Sequence, residues 1–182
     1  MAKWYSLFSH TGKETETLKE RMAGVLELHT AITNNMDYTG SLPCRKMTAD
    51  DINTWLLSVG NIEPGSIITL NGYMRILPTD VLKYLYNIDC KIFNIHPAPI
   101  MLYPELKGAD PQERMYKGIQ EGKYNFIGNV IHLVDEGVDT GPIISWALKI
   151  ADLGMTEAEM NADLREMALD QWVEVLQEVV NG

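Results

Sequence analysis

Cysteine is nearly absent: Cys44 and Cys90 are the only two. Two thiols so far apart make neither a disulfide framework nor a metal site. No apolar run approaches the roughly 20 residues that span a membrane. The amino terminus lacks the basic stretch and apolar core of a secretory signal. Basic residues are scarce as well, with 15 Lys and Arg against 25 Asp and Glu, a formal net charge of −10. Nucleic-acid phosphates are held by clustered cations, so this balance argues against such a partner. Repeats and low-complexity tracts are missing too. These absences leave a cytoplasmic protein with a small-molecule partner, no membrane and no metal, and they leave the oligomeric state open.

What is present alternates between two periodicities. Trp4–Phe8 reads as a first strand, Ser9-His10-Thr11-Gly12 as a turn, and Glu14–Met22 as a helix. Val25–Thr33 is a second strand and Met47–Val59 a helix, capped by Thr48 or Asp50, with Ile52, Trp55, Leu56 and Val59 at helical spacing. Ile67–Leu70 is a short buried strand, Thr79–Tyr86 a helix and Lys91–His96 a strand. Asp110–Glu121 is a helix with Pro111 at its first position, where proline is favoured. Asn129–Val134 and Ile143–Ile150 are the last strands, an antiparallel excursion. A long amphipathic helix over 155–180, with a break near Asp163, ends the chain. Strands alternating with helices predict an α/β fold: one Rossmann-like domain over 1–182, its mostly parallel twisted sheet wrapped by helices on both faces. The apolar stripe of the last helix fits closure of the core better than pairing of two chains.

Three polar residues stand out from this frame. Asn94 and His96 are two apart in one strand, so both leave the same face, and Pro97 ends the strand there. Ligands of open α/β sheets bind at that carboxyl edge. Further on, Asp139-Thr140-Gly141-Pro142 offers a carboxylate in a turn. A lone histidine at a strand end is usually structural, and Asn94 or Asp139 alone could be a turn former. An amide, an imidazole and a carboxylate together suit acyl transfer to an amine. Donors are needed at the developing oxyanion and a base for the departing proton.

Gly72-Tyr73-Met74-Arg75-Ile76-Leu77, Asn94-Ile95-His96-Pro97 and the run from His132 to Pro142 together resemble the folate-dependent formyltransferases. The likeness is strongest to the glycinamide ribonucleotide transformylases and covers about Trp4 to Ala147. It implies transfer of a formyl group from 10-formyltetrahydrofolate, as co-substrate, to a primary amine of a small phosphorylated metabolite, without a metal. Asn94, His96 and Asp139 would be catalytic, with His132 supporting the Asp139 loop. Met74, Arg75, Ile76 and Leu77 would wall the folate pocket, faced by Val134 and Glu136. Thr11, Gly12 and Lys13 would meet the acceptor's phosphate, and Glu166 its amine. Methionyl-tRNA formyltransferases carry a further carboxyl-terminal domain, and hydrolases an amino-terminal one, for which this chain has no room.

Two segments depart from the transformylase pattern. The first turn reads Ser9-His10-Thr11-Gly12-Lys13-Glu14, where Ser-Gly-Asn-Gly-Ser-Asn is expected. Gly12 still permits an anion at a helix start, but Glu14 would repel a phosphate unless it turns away. Gly12-Lys13 is not a nucleotide-binding P-loop, because its first Gly and its Ser or Thr are missing. Tyr103-Pro104-Glu105-Leu106-Lys107 replaces Tyr-Pro-Gly-Leu-His, and Gly108-Ala109-Asp110-Pro111 matches a Gly-x-x-Pro of the sugar-nucleotide and tRNA enzymes. Glycinamide ribonucleotide is the default acceptor. The alternatives are an amino-sugar nucleotide or other amino-nucleotide, a hydrolase using water, and an inactive folate-binding protein.

Overall fold

Trp4–Phe8 is aromatic and aliphatic apart from Ser6, and as strand β1 it is buried along its whole length. In the computed structural model, which describes residues 2–182, α1 (Lys13–Arg21), β2 (Leu28–Thr33), β3 (Arg45–Lys46) and α2 (Ala49–Leu57) follow. Next come β4 (Ile67–Leu70), α3 (Thr79–Asn87), β5 (Lys91–His96) and α4 (Pro111–Gln120). The chain closes with β6 (Phe126–Leu133), β7 (Ile143–Ile150) and α5 (Glu157–Asn181).

The strands form one sheet in the order β3-β2-β1-β4-β5-β6-β7. From β3 to β5 every pairing is parallel, while β6 runs antiparallel to both β5 and β7. Side-chain alternation splits the core between the two faces. Trp4, Ile67, Phe93 and Ile131 pack with Leu18 and Met22 beside α5's Leu169, Trp172 and Val175. On the other face Tyr5, Leu7, Ile68 and Ile92 pack with Ile52 and Leu56 of α2 and Val81, Leu82 and Leu85 of α3. The mostly parallel sheet with helices on both faces is thus as expected, and so is the antiparallel excursion.

Differences from expectation lie at element ends. β2 begins at Leu28, not Val25, because the amides of Val25 and Leu26 turn back to the Met22 carbonyl after α1. Two-residue β3, with both side chains exposed, has no apolar pattern to announce it. β6 starts before Asn129 and runs through Gly128, where a Cβ would lie 2.2 Å from the Ala147 carbonyl oxygen. α5 is unbroken at Asp163, whose carboxylate instead takes Lys149 Nζ of β7 at 2.6 Å. A reciprocal Thr156–Glu159 capping box starts α5, satisfying two amides that lack helical partners.

Order reversal between β1 and β4 opens a crevice at their carboxyl ends. The Gly72 carbonyl accepts from the Ser9 amide at 3.1 Å, and Ser9 Oγ accepts from the Met74 amide at 2.8 Å. These bonds stitch the first loop to the Met74–Leu77 loop. Register across the antiparallel pair sets Asn94 opposite His132 and His96 opposite Val130, so Asn94, His96 and His132 share a face. It is the face that α3 covers at Ile92.

Burial, with Asp89 adding to it, pushes the Cys90 thiol up to about 12, and burial also raises that of half-buried Cys44. Thiolate is the reactive form. At pH 8 a chromogenic disulfide should therefore titrate at most one thiol, Cys44, in the folded protein and both after denaturation. Two fast-reacting thiols in the folded protein would contradict the packing around β5.

Candidate active site

Asp139 stands in the loop joining β6 to β7, and that loop is built to turn it inward. Asp135 Oδ1 accepts from the Gly137 amide at 3.1 Å and from the Thr140 hydroxyl at 2.7 Å, drawing the loop into a tight coil. The base is closed by the Leu133 amide donating to the Pro142 carbonyl at 2.9 Å. A Cβ on Gly141 would fall 1.8 Å from the Leu133 carbonyl oxygen, which gives the Asp-x-Gly-Pro sequence its structural reason. Asp139 itself adopts a left-handed backbone, φ 53°, a conformation that aspartate tolerates better than most side chains.

Its carboxylate is gripped from three directions. His96 Nδ1 lies 3.1 Å from Oδ2, and the Gly108 amide donates to the same oxygen at 2.9 Å. His132 Nε2 lies 3.4 Å from Oδ1, and Asn94 Nδ2 donates to that oxygen at 3.4 Å. His96 is 4% exposed and His132 3%. Each imidazole has its far nitrogen on a carbonyl: His96 Nε2–H donates to Leu106 and His132 Nδ1–H to Leu133, both at 2.9 Å. With both its nitrogens facing acceptors, the His96 ring is satisfied when each carries a proton. His132 Nε2 lies between Asn94 Nδ2 at 3.1 Å and Asp139 Oδ1 at 3.4 Å, and it either accepts from the first or donates to the second. Burial alone would push the Asp139 carboxyl up. The hydrogen bonds from His132 and His96, the attraction of the His96 ring and the Gly108 amide outweigh it and hold the group well below the usual carboxylate range.

Met74 (57% exposed), Ile76 (69%) and Val138 (48%) stand out of the two loops flanking this cluster, while Leu77 is buried in the core. Arg75 is exposed. Val134 packs against the cluster containing Tyr73 and Leu77, which brings the two loops together. Its amide donates to the Ile92 carbonyl, and its own carbonyl accepts from the Tyr86 hydroxyl of α3. Burial, with Cys90 and Asp135 nearby, pushes that phenol up to about 12, so it stays a donor. Glu136 is exposed and turned to Lys83 of α3 at 3.8 Å. Apolar side chains on two apposed loops, edged by backbone groups, fit a flat heteroaromatic ring.

At the crevice end, Gly12 has φ 67° and caps α1, with Thr11 and Lys13 exposed beside it. Glu14 is drawn aside to Arg165 of α5 at 3.2 Å, removing part of its repulsion for an anion. Glu166 is not brought to the cluster: its carboxylate is tied to Arg21, in the last turn of α1, at 2.5 Å. Sequence reasoning missed the Gly108 amide, the Leu106 carbonyl and Tyr86. Backbone contacts leave no side-chain signature, although the unusual Glu105–Pro111 stretch marked the segment that supplies the first two.

Residues 57–176 match the formyl transferase family, and the chain belongs to it. Among curated proteins it is 40% identical over 80 residues to phosphoribosylglycinamide formyltransferase of Bacillus subtilis, covering 43% of this chain and 35% of that one. The enzyme of the same name from Schizosaccharomyces pombe is 30% identical over 132 residues, 72% of this chain and 60% of that one. The matches thus span about one third and three fifths of those two relatives. The crystal structure of phosphoribosylglycinamide formyltransferase from Anaplasma phagocytophilum superposes with a TM-score of 0.82 over 99% of this chain and 87% of its own, at 20% identity, and shares the fold.

Replacing Asp139 by Ala strands the His96 Nδ1–H and the Gly108 amide, and should lower unfolding stability at pH 7 by about 2 kcal/mol. A depressed carboxyl stabilises the fold above the unfolded-state value of roughly 3.9, and the effect fades as pH falls toward the folded one. Urea titrations of both proteins should therefore differ at pH 7, and the gap should begin to narrow only as pH falls below about 4. A gap that widens in acid would refute the ionised clasp.

Proposed function

We propose that the chain transfers a formyl group from 10-formyltetrahydrofolate to the primary amine of glycinamide ribonucleotide. The observation that carries this reading is the partly buried Asp139 carboxylate held by His96, with Asn94 on the same sheet face as His96. Family membership supports the reaction class, and the names of the two curated relatives favour this acceptor over an amino-sugar nucleotide or water. The co-substrate supplies an electrophilic formyl carbon. Charge develops on the formyl oxygen as the amine attacks, and the donors assigned to it are Asn94 Nδ2–H and His96 Nε2–H, which turn from Asp139 and from the Leu106 carbonyl to do so. Asp139 holds the His96 ring by Nδ1 and accepts the proton leaving the amine, directly or through one water. His132 Nε2 steadies Asn94 when it is bare and Asp139 when it carries a proton.

Met74, Ile76 and Val134 form the wall for the pterin, backed by the buried Leu77, with Val138 beside them and Arg75 and Glu136 at the rim. The acceptor's phosphate is assigned to the Thr11–Lys13 turn, where Gly12 lets backbone amides approach at the positive end of α1. Glu14 is held off by Arg165, which makes this assignment compatible with an acidic first turn. Glu166 is left without a role in holding the amine.

Tetrahydrofolate release should require glycinamide ribonucleotide, and Ala at Asn94, His96 or Asp139 should lower kcat by about 10²-fold or more. The assay runs the same enzyme with aminated nucleotides and sugars and with no acceptor. Wild-type turnover in Asp139→Ala would remove the assigned base. Turnover only with another amine would transfer the reading to that acceptor.

A further inference from the structure

Arg114 of α4 reaches back across the turn at Asp110 (φ 51°) and donates to three successive carbonyls. Its Nη1 lies 2.5 Å from the Glu105 oxygen, and its Nη2 lies 3.2 Å from Leu106 and 2.8 Å from Lys107. A planar guanidinium can serve such a row of acceptors, and an ammonium cannot hold all three in one geometry. The middle carbonyl, Leu106, is also the one that His96 Nε2–H contacts. One residue further, the Gly108 amide is on Asp139. The segment is pinned at its start as well: the Glu105 carboxylate takes Lys123 Nζ at 3.1 Å and the Tyr124 hydroxyl at 3.0 Å. Residues 105–108 thus hold both His96 and Asp139, and Arg114 holds residues 105–107.

This arrangement matters because of what His96 has to do under the proposed function, on which the inference rests. Its Nε2–H is engaged by Leu106, yet the same proton is to be given to the formyl oxygen. Leu106 is buried at 1% exposure, and a buried carbonyl that loses its sole donor opposes the exchange. A carbonyl has two lone pairs, so Leu106 accepts from His96 and Arg114 together. We infer that Arg114 is a positioning residue: it keeps the Leu106 carbonyl satisfied and residues 105–108 in place while His96 hands its Nε2–H to the developing oxyanion. Gly108 then stays on Asp139, and Asp139 keeps the ring aimed.

The test compares the full chain with Arg114→Ala and Arg114→Lys. In formyl transfer, Arg114→Ala should lower kcat by about 10- to 100-fold, the scale of a small misplacement of a reacting group. The KM for 10-formyltetrahydrofolate should change by less than about twofold. Arg114→Lys should recover little of the loss, and added guanidinium ion should recover part of it in Arg114→Ala where ammonium does not. A second readout needs no substrate: hydrogen exchange of the Gly108 amide and of the His96 Nε2–H, followed by NMR, should quicken in both variants. If Arg114→Ala does not fold, the Lys variant decides by the same readouts. Wild-type kcat together with unchanged exchange at Gly108 and His96 would overturn the inference. If the wild type transfers formyl to no amine, the proposed function fails by itself. The exchange readout then still judges the Arg114 clamp: quickened exchange keeps it, unchanged exchange removes it.

Discussion

A carboxylate taken out of water has to be surrounded by donors, and Asp139 gathers them from three separate stretches of chain. β5 brings Asn94 and His96, β6 brings His132, and the segment before α4 brings the Gly108 amide. None of these is adjacent in sequence, so the clasp ties together the half of the sheet that carries the chemistry. It fixes the His96 ring by Nδ1, and it balances the left-handed backbone at Asp139 with bonds that only this conformation delivers. The Asp135–Thr140 coil and the close pass at Gly141 leave the carboxylate little choice of direction. Removing the carboxylate at position 139 would take a shared partner from His96, His132, Asn94 and the Gly108 amide at once.

The sheet makes the clasp possible by changing direction. An all-parallel sheet would send the loop after β6 to the carboxyl edge directly, away from Ile92. Running β6 antiparallel instead sets His132 across from Asn94 and starts the Asp139 loop beside the Ile92 carbonyl, so that it climbs along β5 toward His96. α3 anchors that climb, with Tyr86 on the Val134 carbonyl and Lys83 near Glu136. On the other side of β5, the order reversal between β1 and β4 leaves the crevice at Gly12. The two ends of one groove are therefore products of two topological features of the same sheet. The proposed chemistry uses this division, with the co-substrate assigned to one end and the acceptor to the other.

Much of this was legible because side-chain chemistry and period carry it. Asn94 and His96 share a face by the period of two, and the apolar patterns of Ile52–Leu56 and Val81–Leu85 located the helices that pack on that same face at Ile92. What escaped was written in backbone or in distance. Gly108 acts through its amide and Leu106 through its carbonyl, and no residue type advertises either. β3 is paired on one side only with both side chains in solvent, so burial imposed no pattern on it. The break expected at Asp163 failed because a polar residue inside a helix can be satisfied from a neighbouring strand, here by Lys149. Glu166 was assigned by a loose likeness, and Arg21 claims it.

At the Gly12 turn, proposed for the acceptor, the nearby charges are arranged in pairs: Glu14 with Arg165, Glu166 and Asp170 with Arg21. The catalytic end depends on a single ionised group. The most direct measurement is a carbon-13 NMR titration of the Asp139 carboxyl in the free protein. The account predicts that its carboxylate signal persists through the range near pH 4 where ordinary aspartates protonate, and for as long as the fold survives in acid. A signal that titrates near the ordinary value, while the protein is still folded, would contradict the clasp on which the site rests.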